Sequence, residues 1–448
     1  MWWLQRYPKL FDLATEYYRH GLHGLLDRLK SLPYAGGRAQ ALLFGQAFNW
    51  DYCREELQSV GIDPIFHRVR DNLEYWMNVQ PSKKVDIDAL SKACEELRKD
   101  DKFRKFFLWN SIDFFPVVED YLQFLVVRLT PACLNAYERT HEILKKKKIK
   151  VFLSSGFTTC TSHSAARAAR NLGIPVVVWR HTGHGPMDIL FSKYIHLMSS
   201  DIVFVFEKGT VGKLSKVAKR CTTLLVPVGS PSLENMLTAP RSIMLEKLKK
   251  IVSLNKKIVL CVFPPYLPAS SDLYLYTIPS KSDDFGWRSL RMLLDIFKKH
   301  PDCLSIVKLK PTKNRYLPVA SYIKERGLEN CQVIRKEYAL KDLFQIAHLI
   351  VQTYPGVNLL ESLMSTKPIF VYTGDFYLDT NDQKLLARRA FCYQKFKNLI
   401  NDLDKYLSTG RIDKKVDLNN KEFIKRYGLS STGSGTKVAK TLTKILVR

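Results

Sequence analysis

The sequence predicts an α/β protein of two domains, each a parallel sheet with helices on its faces. Three observations predict it. Short runs rich in Val, Ile and Leu recur at a spacing that leaves room for one helix between them. The runs are continuously apolar rather than alternating, which is the pattern of strands buried on both faces. The rhythm occurs twice, on either side of a charged stretch, in a chain of 448 residues, long enough for two cores.

In chain order, Gln40–Asn49 (QALLFGQAFN) reads as a strand and loop, Asp51–Val60 as a helix and Asp63–Arg68 as a strand. Helical patterns such as Asp88–Lys99 and Phe115–Leu129 then interrupt the rhythm, so residues 70–145 read as a helical insertion. Strands resume at Ile149–Ser154 (IKVFLS), followed by the loop Ser155–Thr159 and a helix over Ser162–Leu172. Pro175–Trp179, Asp201–Phe206 and Thr223–Pro227 are three more strands. Gly229–Lys256 reads as a link with a charged helix inside it.

The second series begins with strand Lys257–Phe263 and helix Trp287–His300. Strand Leu304–Leu309 and helix Pro318–Arg326 follow, the proline standing in the tolerated first turn. Next come strand Cys331–Arg335, helix Leu340–Ala347, strand His348–Gln352, helix Val357–Met364 and strand Pro368–Tyr372. Residues 376–448 read as mainly helical. The expected division is a first domain over 1–240, a second over 241–435, and a helix at 436–448 that packs back across the link.

Lys and Arg number 70 against 43 Asp and Glu, a net charge of +27. Such a field draws polyanions: nucleic acid, an anionic membrane surface or a phosphate-bearing substrate. The cations lie in short clusters (Lys145–Lys148, Lys249–Lys250, Lys414–Lys415), with no zinc-finger spacing, RRM signature or Arg-rich arm. Nucleic acid is therefore not the expected partner. Nine cysteines, odd in number, widely spaced and without a CxxC, read as reduced thiols of a cytoplasmic protein. No secretion-signal pattern and no run of about 18 apolar residues is present. Residues 2–30 read as an amphipathic helix, packed either on its own domain or on a membrane surface.

The residues that can carry chemistry cluster at strand ends. Gln352–Glu361 (QTYPGVNLLE) runs from an apolar strand through a turn into a helix. Gly356 lets a phosphate approach the backbone, and free amides at the helix start can hold the anion. Glu361, about one turn further in, can accept two ribose hydroxyls. The alternative is an ordinary strand–turn–helix with an exposed Glu. Lys308, Lys310, Thr312 and Lys313 suit a diphosphate, or form a solvated basic loop. His181, His184 and Asp188 follow the strand ending at Trp179. An HxxH on a Gly-rich loop with no third ligand does not read as a metal site. Ser154, Ser155, Gly156, Thr158, Asn49 and Asp51 follow strand ends and are more often structural than catalytic.

Here the chain resembles a family. TYPGVNLLESLMSTKPIFVY is similar to the donor-binding segment of GT-B glycosyltransferases of surface-polysaccharide (capsule or lipopolysaccharide) biosynthesis, the CDP-glycerol glycerophosphotransferase type included. Thr353, Gly356, Glu361 and Lys367-Pro368-Ile369 fall in register, while the Ser pair of that type is replaced by Gly356 and Val357. LSIVKLKP resembles its Lys-Leu-His-Pro turn, with Lys310 in the histidine's place, and IPVVVWRHTGHGPMD resembles its strand ending in a His-Gly turn. Gly229 in VPVGSPS matches the turn closing the first domain.

The resemblance implies two Rossmann-like domains facing a cleft and a metal-independent transferase without cofactor. It implies a nucleotide-sugar donor held by Lys308, Lys310, Thr312, Thr353, Gly356, Val357, Asn358 and Glu361. His181, or else His184 or Asp188, would deprotonate the acceptor, a glycan or lipid-linked saccharide at the inner membrane face. A CMP-Kdo-like donor fits that reading. The alternatives are a polyol-phosphate transferase using a CDP-glycerol-like donor, a nucleotide-sugar 2-epimerase, and a non-enzymatic basic scaffold.

Overall fold

The computed structural model describes residues 39–45, 48–67, 85–180, 192–238, 256–263, 283–309, 318–335, 337–353, 356–374 and 378–446. All but Ala39 belong to one compact unit, Gln40–Arg448. Two six-stranded sheets organise it, as the doubled rhythm of apolar runs predicts.

The first sheet uses β1 (Ala39–Phe44) and β2 (Ile62–His67), joined by a 3-10 turn (Phe48–Cys53) and α1 (Arg54–Ser59). The insertion follows: α2 (Ile87–Lys99), α3 (Asp101–Lys105), a hairpin of β3 (Leu108–Trp109) and β4 (Ile112–Asp113), α4 (Phe115–Phe124) and α5 (Thr130–Lys146). A single π-type turn, Leu125–Leu129, joins α4 to α5, so 115–146 is one rod about 48 Å long. The hairpin has too few residues for periodicity to reveal it.

Then come β5 (Val151–Ser154), α6 (Cys160–Asn171), β6 (Val176–Trp179), β7 (Ile202–Val205), α7 (Lys208–Arg220), β8 (Leu224–Pro227) and α8 (Pro231–Thr238). The sheet order is β2-β1-β5-β6-β7-β8. Helix α6 starts where it does because Thr159 and Ser162 cap each other: Thr159 Oγ1 accepts from the Ser162 amide at 3.1 Å, and Ser162 Oγ from the Thr159 amide at 3.1 Å.

The second sheet uses β9 (Lys257–Val262), α9 (Asp283–Phe297), β10 (Cys303–Lys308), α10 (Val319–Arg326), β11 (Cys331–Ile334), α11 (Leu340–Ile346) and β12 (Leu349–Gln352). It continues with α12 (Val357–Leu363), β13 (Ile369–Tyr372), α13 (Thr380–Ala387), β14 (Phe391–Tyr393) and α14 (Phe396–Thr409). All five pairings in the order β11-β10-β9-β12-β13-β14 are parallel. The described residues beyond 376 are mainly helical, as expected; strand β14 is an addition that at three residues is too short to show a period. Gly410 ends α14 in the left-handed region at φ 70°, where a side chain would be strained.

The two halves are joined by more than the chain between them. Helices α15 (Glu422–Tyr427) and α16 (Ser434–Leu446) lead back to the first sheet. Val438, Ala439 and Leu442 of α16 are buried with Ala41, Leu43, Trp50 and Val151. Conversely, Phe206 and Leu233 are buried with the second sheet's Leu260, Ile350 and Leu360. Two carboxylates fix the crossing segment. Glu207 accepts from the Ser430 amide at 2.6 Å and its hydroxyl at 2.7 Å, and Glu234 accepts from the Ser434 amide at 2.9 Å. Lys213 pairs with Asp379 and, at 2.6 Å, with Asp382. Gly209 is required here: a Cβ would run into the Arg426 carbonyl oxygen.

Candidate nucleotide-binding site

Strand order identifies where each sheet opens. In a doubly wound sheet the crevice lies at the carboxyl ends of the two strands where the winding reverses. That is β1/β5 in the first sheet and β9/β12 in the second. The 352–361 segment follows β12, so it lies at the second sheet's switch point.

Local chemistry shapes that segment. Gln352 is fully buried, and its Nε2 donates to the Asn358 carbonyl at 3.1 Å, which fastens the first turn of α12 to the strand end. Its Oε1 has no hydrogen-bond partner among the described residues. Thr353 Oγ1 donates to the Val262 carbonyl at 3.4 Å, tying the turn to β9. Gly356 caps α12 in extended backbone (φ −95°, ψ −155°), a conformation open to any residue. At the far end, Arg389 is 1% exposed and donates to the Ser365 and Lys367 carbonyls, holding the Lys367-Pro368-Ile369 entry to β13.

Glu361 stands apart from these satisfied groups. Its carboxylate has no hydrogen-bond or ion-pair partner among the described residues. Burial pushes its carboxyl up to about 7. A half-buried, unpaired carboxylate costs stability and can accept from hydroxyl donors.

The first domain reaches toward it. Tyr52, on the 3-10 turn after β1, has its phenol raised by burial first, then by the charges of Asp51 and Glu361. Helix α8 packs against both that turn and α12, so the two switch points face one another. Nothing in the sequence links Tyr52 to Glu361; only the fold does. Gly229 closes β8 at φ 99° and leads into α8, where a Cβ would come within 3.1 Å of Ser434. Its carbonyl accepts from Trp179 Nε1 at 3.4 Å.

The polar groups of the β1/β5 crevice hold one another. Asn49 Nδ2 donates to the Arg180 carbonyl at 2.8 Å, so this side chain is a clamp and not a base. Trp50 Nε1 donates to the Ser154 carbonyl at 2.9 Å. Ser154 Oγ accepts from the Gly156 amide at 3.2 Å. Gly156 sits at φ 143° under Ile195 and His196, which leave no room for a Cβ. Buried Arg180, at the end of β6, is a further cation that the sequence did not single out.

Of the other predicted residues, Lys308 turns inward. Its ammonium donates to the Arg335 and Tyr338 carbonyls, both at 2.7 Å, and burial lowers its pKa. It therefore braces the loop after β11. Lys310, Thr312, His181, His184 and Asp188 lie outside the described residues. Among the described residues no group of three His, Cys, Asp or Glu side chains is placed to hold a metal ion, and no helix is long and apolar enough to cross a membrane.

No family model and no curated relative matches this chain. Solved structures do. UDP-GlcNAc 2-epimerase from Neisseria meningitidis, bound to UDP-GlcNAc, aligns with a TM-score of 0.57 at 15% identity, covering 91% of this chain and 100% of that one. S. aureus MnaA with UDP aligns at 0.54 and 12% identity, covering 92% and 97%. UDP-N-acetylglucosamine 2-epimerase from Rickettsia bellii aligns at 0.52 and 14% identity, covering 92% and 97%. At these identities the likeness is one of fold: the chain has the two-domain GT-B architecture.

Proposed function

We propose that this protein is a nucleotide-sugar enzyme whose nucleotide binds at the β9/β12 switch point of the second domain. The observation that carries the reading is Glu361: a half-buried carboxylate, free of partners among the described residues, one turn into the helix after β12. Its two oxygens suit the two ribose hydroxyls. Thr353 and the backbone of Gly356, Val357 and Asn358 would receive the phosphates, with Lys310 and Thr312 on the neighbouring loop. Lys308 braces the loop after β11 instead.

The reaction we favour is metal-independent glycosyl transfer to a surface glycan or lipid-linked acceptor. His181, with His184 and Asp188 as alternatives, would take the acceptor's proton as its oxygen attacks the anomeric carbon. The second reading is 2-epimerisation of a nucleotide sugar. It is favoured by fold matches over 91–92% of this chain to enzymes of that name, one of them bound to UDP-GlcNAc, and by a like match to MnaA holding UDP.

A thermal-shift screen of CMP, CDP, UDP, GDP and TDP tests the common part of both readings. One nucleotide should stabilise the protein, by about 2.7 kcal/mol at a hundred times its Kd. Glu361→Ala should abolish that shift. Absence of a shift with every nucleotide rejects the proposal. Incubation of the matching nucleotide sugar without acceptor then separates the reactions: epimerisation yields a second sugar nucleotide, whereas transfer yields none.

A further inference from the structure

We propose that Tyr52 of the first domain donates its phenolic hydrogen to the ribose held by Glu361 of the second, so that one nucleotide bridges both domains. The inference rests on the nucleotide reading above and adds to it a residue from the opposite domain.

The 3-10 turn that carries Tyr52 is fixed on both sides of it. Asn49 is clamped to the Arg180 carbonyl and Trp50 to the Ser154 carbonyl. The Trp50 ring meets Trp179 edge to face with centroids 5.3 Å apart, and Cys53 Sγ donates to the Trp50 carbonyl at 3.5 Å. Asn49, Trp50 and Cys53 are all buried, whereas Tyr52 is left outside the core, 53% exposed. A side chain presented on so fixed a turn has little backbone freedom to lose when it meets a ligand.

Helix α8 sets what Tyr52 faces. It packs both on the Phe48–Cys53 turn and on α12, the helix of Glu361. The two side chains are near enough for the Glu361 charge to act on the Tyr52 phenol. Neither makes a side-chain hydrogen bond among the described residues. A donor and an acceptor therefore stand opposite each other without bonding. A ribose hydroxyl suits the space between them. When it donates to the carboxylate it keeps two lone pairs, and a phenolic O–H can donate to one of them. A phosphate in that place would be repelled by Glu361 and by Asp51, whose charge also reaches the phenol, so the neutral part of the nucleotide belongs there.

Isothermal titration of the full chain with CMP, CDP, UDP and GDP tests it, followed by the 2′-deoxy and 3′-deoxy forms of the tightest binder. Tyr52→Phe should weaken the ribonucleotide about five- to tenfold, the worth of one hydrogen bond, while the melting temperature of the empty protein stays unchanged. With one of the two deoxy forms the variant and the wild type should bind alike, because the hydroxyl that Tyr52 contacts is gone. If the wild type binds a nucleotide and Tyr52→Phe binds it equally well, the proposal is overturned and the Glu361 reading stands. It is also overturned if the loss persists with both deoxy forms. A lower melting temperature with unchanged affinity gives Tyr52 a structural role and overturns it as well. If no nucleotide binds the wild type, the nucleotide reading and this inference fail together.

Discussion

The two switch points are the same place in two similar sheets, yet they treat polar groups in opposite ways. At β1/β5, Asn49, Trp50, Ser154 and Gly156 all make hydrogen bonds within the protein. At β9/β12, the half-buried Glu361 has no partner among the described residues, and the side-chain oxygen of buried Gln352 is unsatisfied. A buried polar group that is satisfied stiffens the fold, whereas one left unsatisfied marks where something else binds. On the proposed reading the first crevice is a frame and the second a socket.

Several substitutions would break or sharpen that contrast. The largest effect is expected from Glu361→Ala, which removes two charge-assisted hydrogen bonds to the nucleotide. Affinity by isothermal titration should fall about a hundredfold. An affinity within threefold of wild type would remove the socket. Next in size, Asn49→Ala leaves the buried Arg180 carbonyl without its donor. It should cost about 1–3 kcal/mol in denaturant unfolding while nucleotide affinity stays unchanged.

The pH dependence separates the two regions further. Below about pH 7 the empty Glu361 holds a proton that ribose binding must displace. Kd should therefore drop with rising pH, by at most about tenfold per unit, and level off above 7. For the empty protein the sign reverses. Unfolded Glu titrates near 4.5 and the folded group near 7, so stability present at acid pH is lost as pH rises between these values. Glu361→Gln should accordingly stabilise the empty protein at pH 8, by about 1–3 kcal/mol, in chemical denaturation.

The smallest effect is chemical. Cys160 opens α6, and a hydrogen bond from Cys133 pulls its thiol down to about 6 despite burial. Iodoacetamide at pH 7 should label Cys160 ahead of the other cysteines, and Cys133→Ser should slow it severalfold in peptide mass spectrometry.

Much of this architecture was legible from residue order because buried parallel strands are runs of Val, Ile and Leu bounded by polar turns. IVLCVF and LIVQ announce β9 and β12 without help from distant contacts. The Glu361 turn was legible for the same reason, since strand end, glycine and carboxylate are neighbours in sequence. What escaped notice depends on separation or brevity. Tyr52 approaches Glu361 only after both domains have folded. Lys308 reads as a phosphate ligand until the loop after β11 takes up its donors. The Leu108–Asp113 hairpin and β14 are too short for any period to emerge.

Helix α16 carries a consequence for synthesis. Val438, Ala439 and Leu442 complete an apolar face whose other members, from Ala41 to Val228, are made far earlier. A ribosome releases residues in order, so the half of the protein made first waits longest for its last piece. During that wait the bare face around Trp50 and Val177 is open to chaperones or to aggregation. Truncation within the final helix would then injure the first domain while sparing the domain the helix has just left.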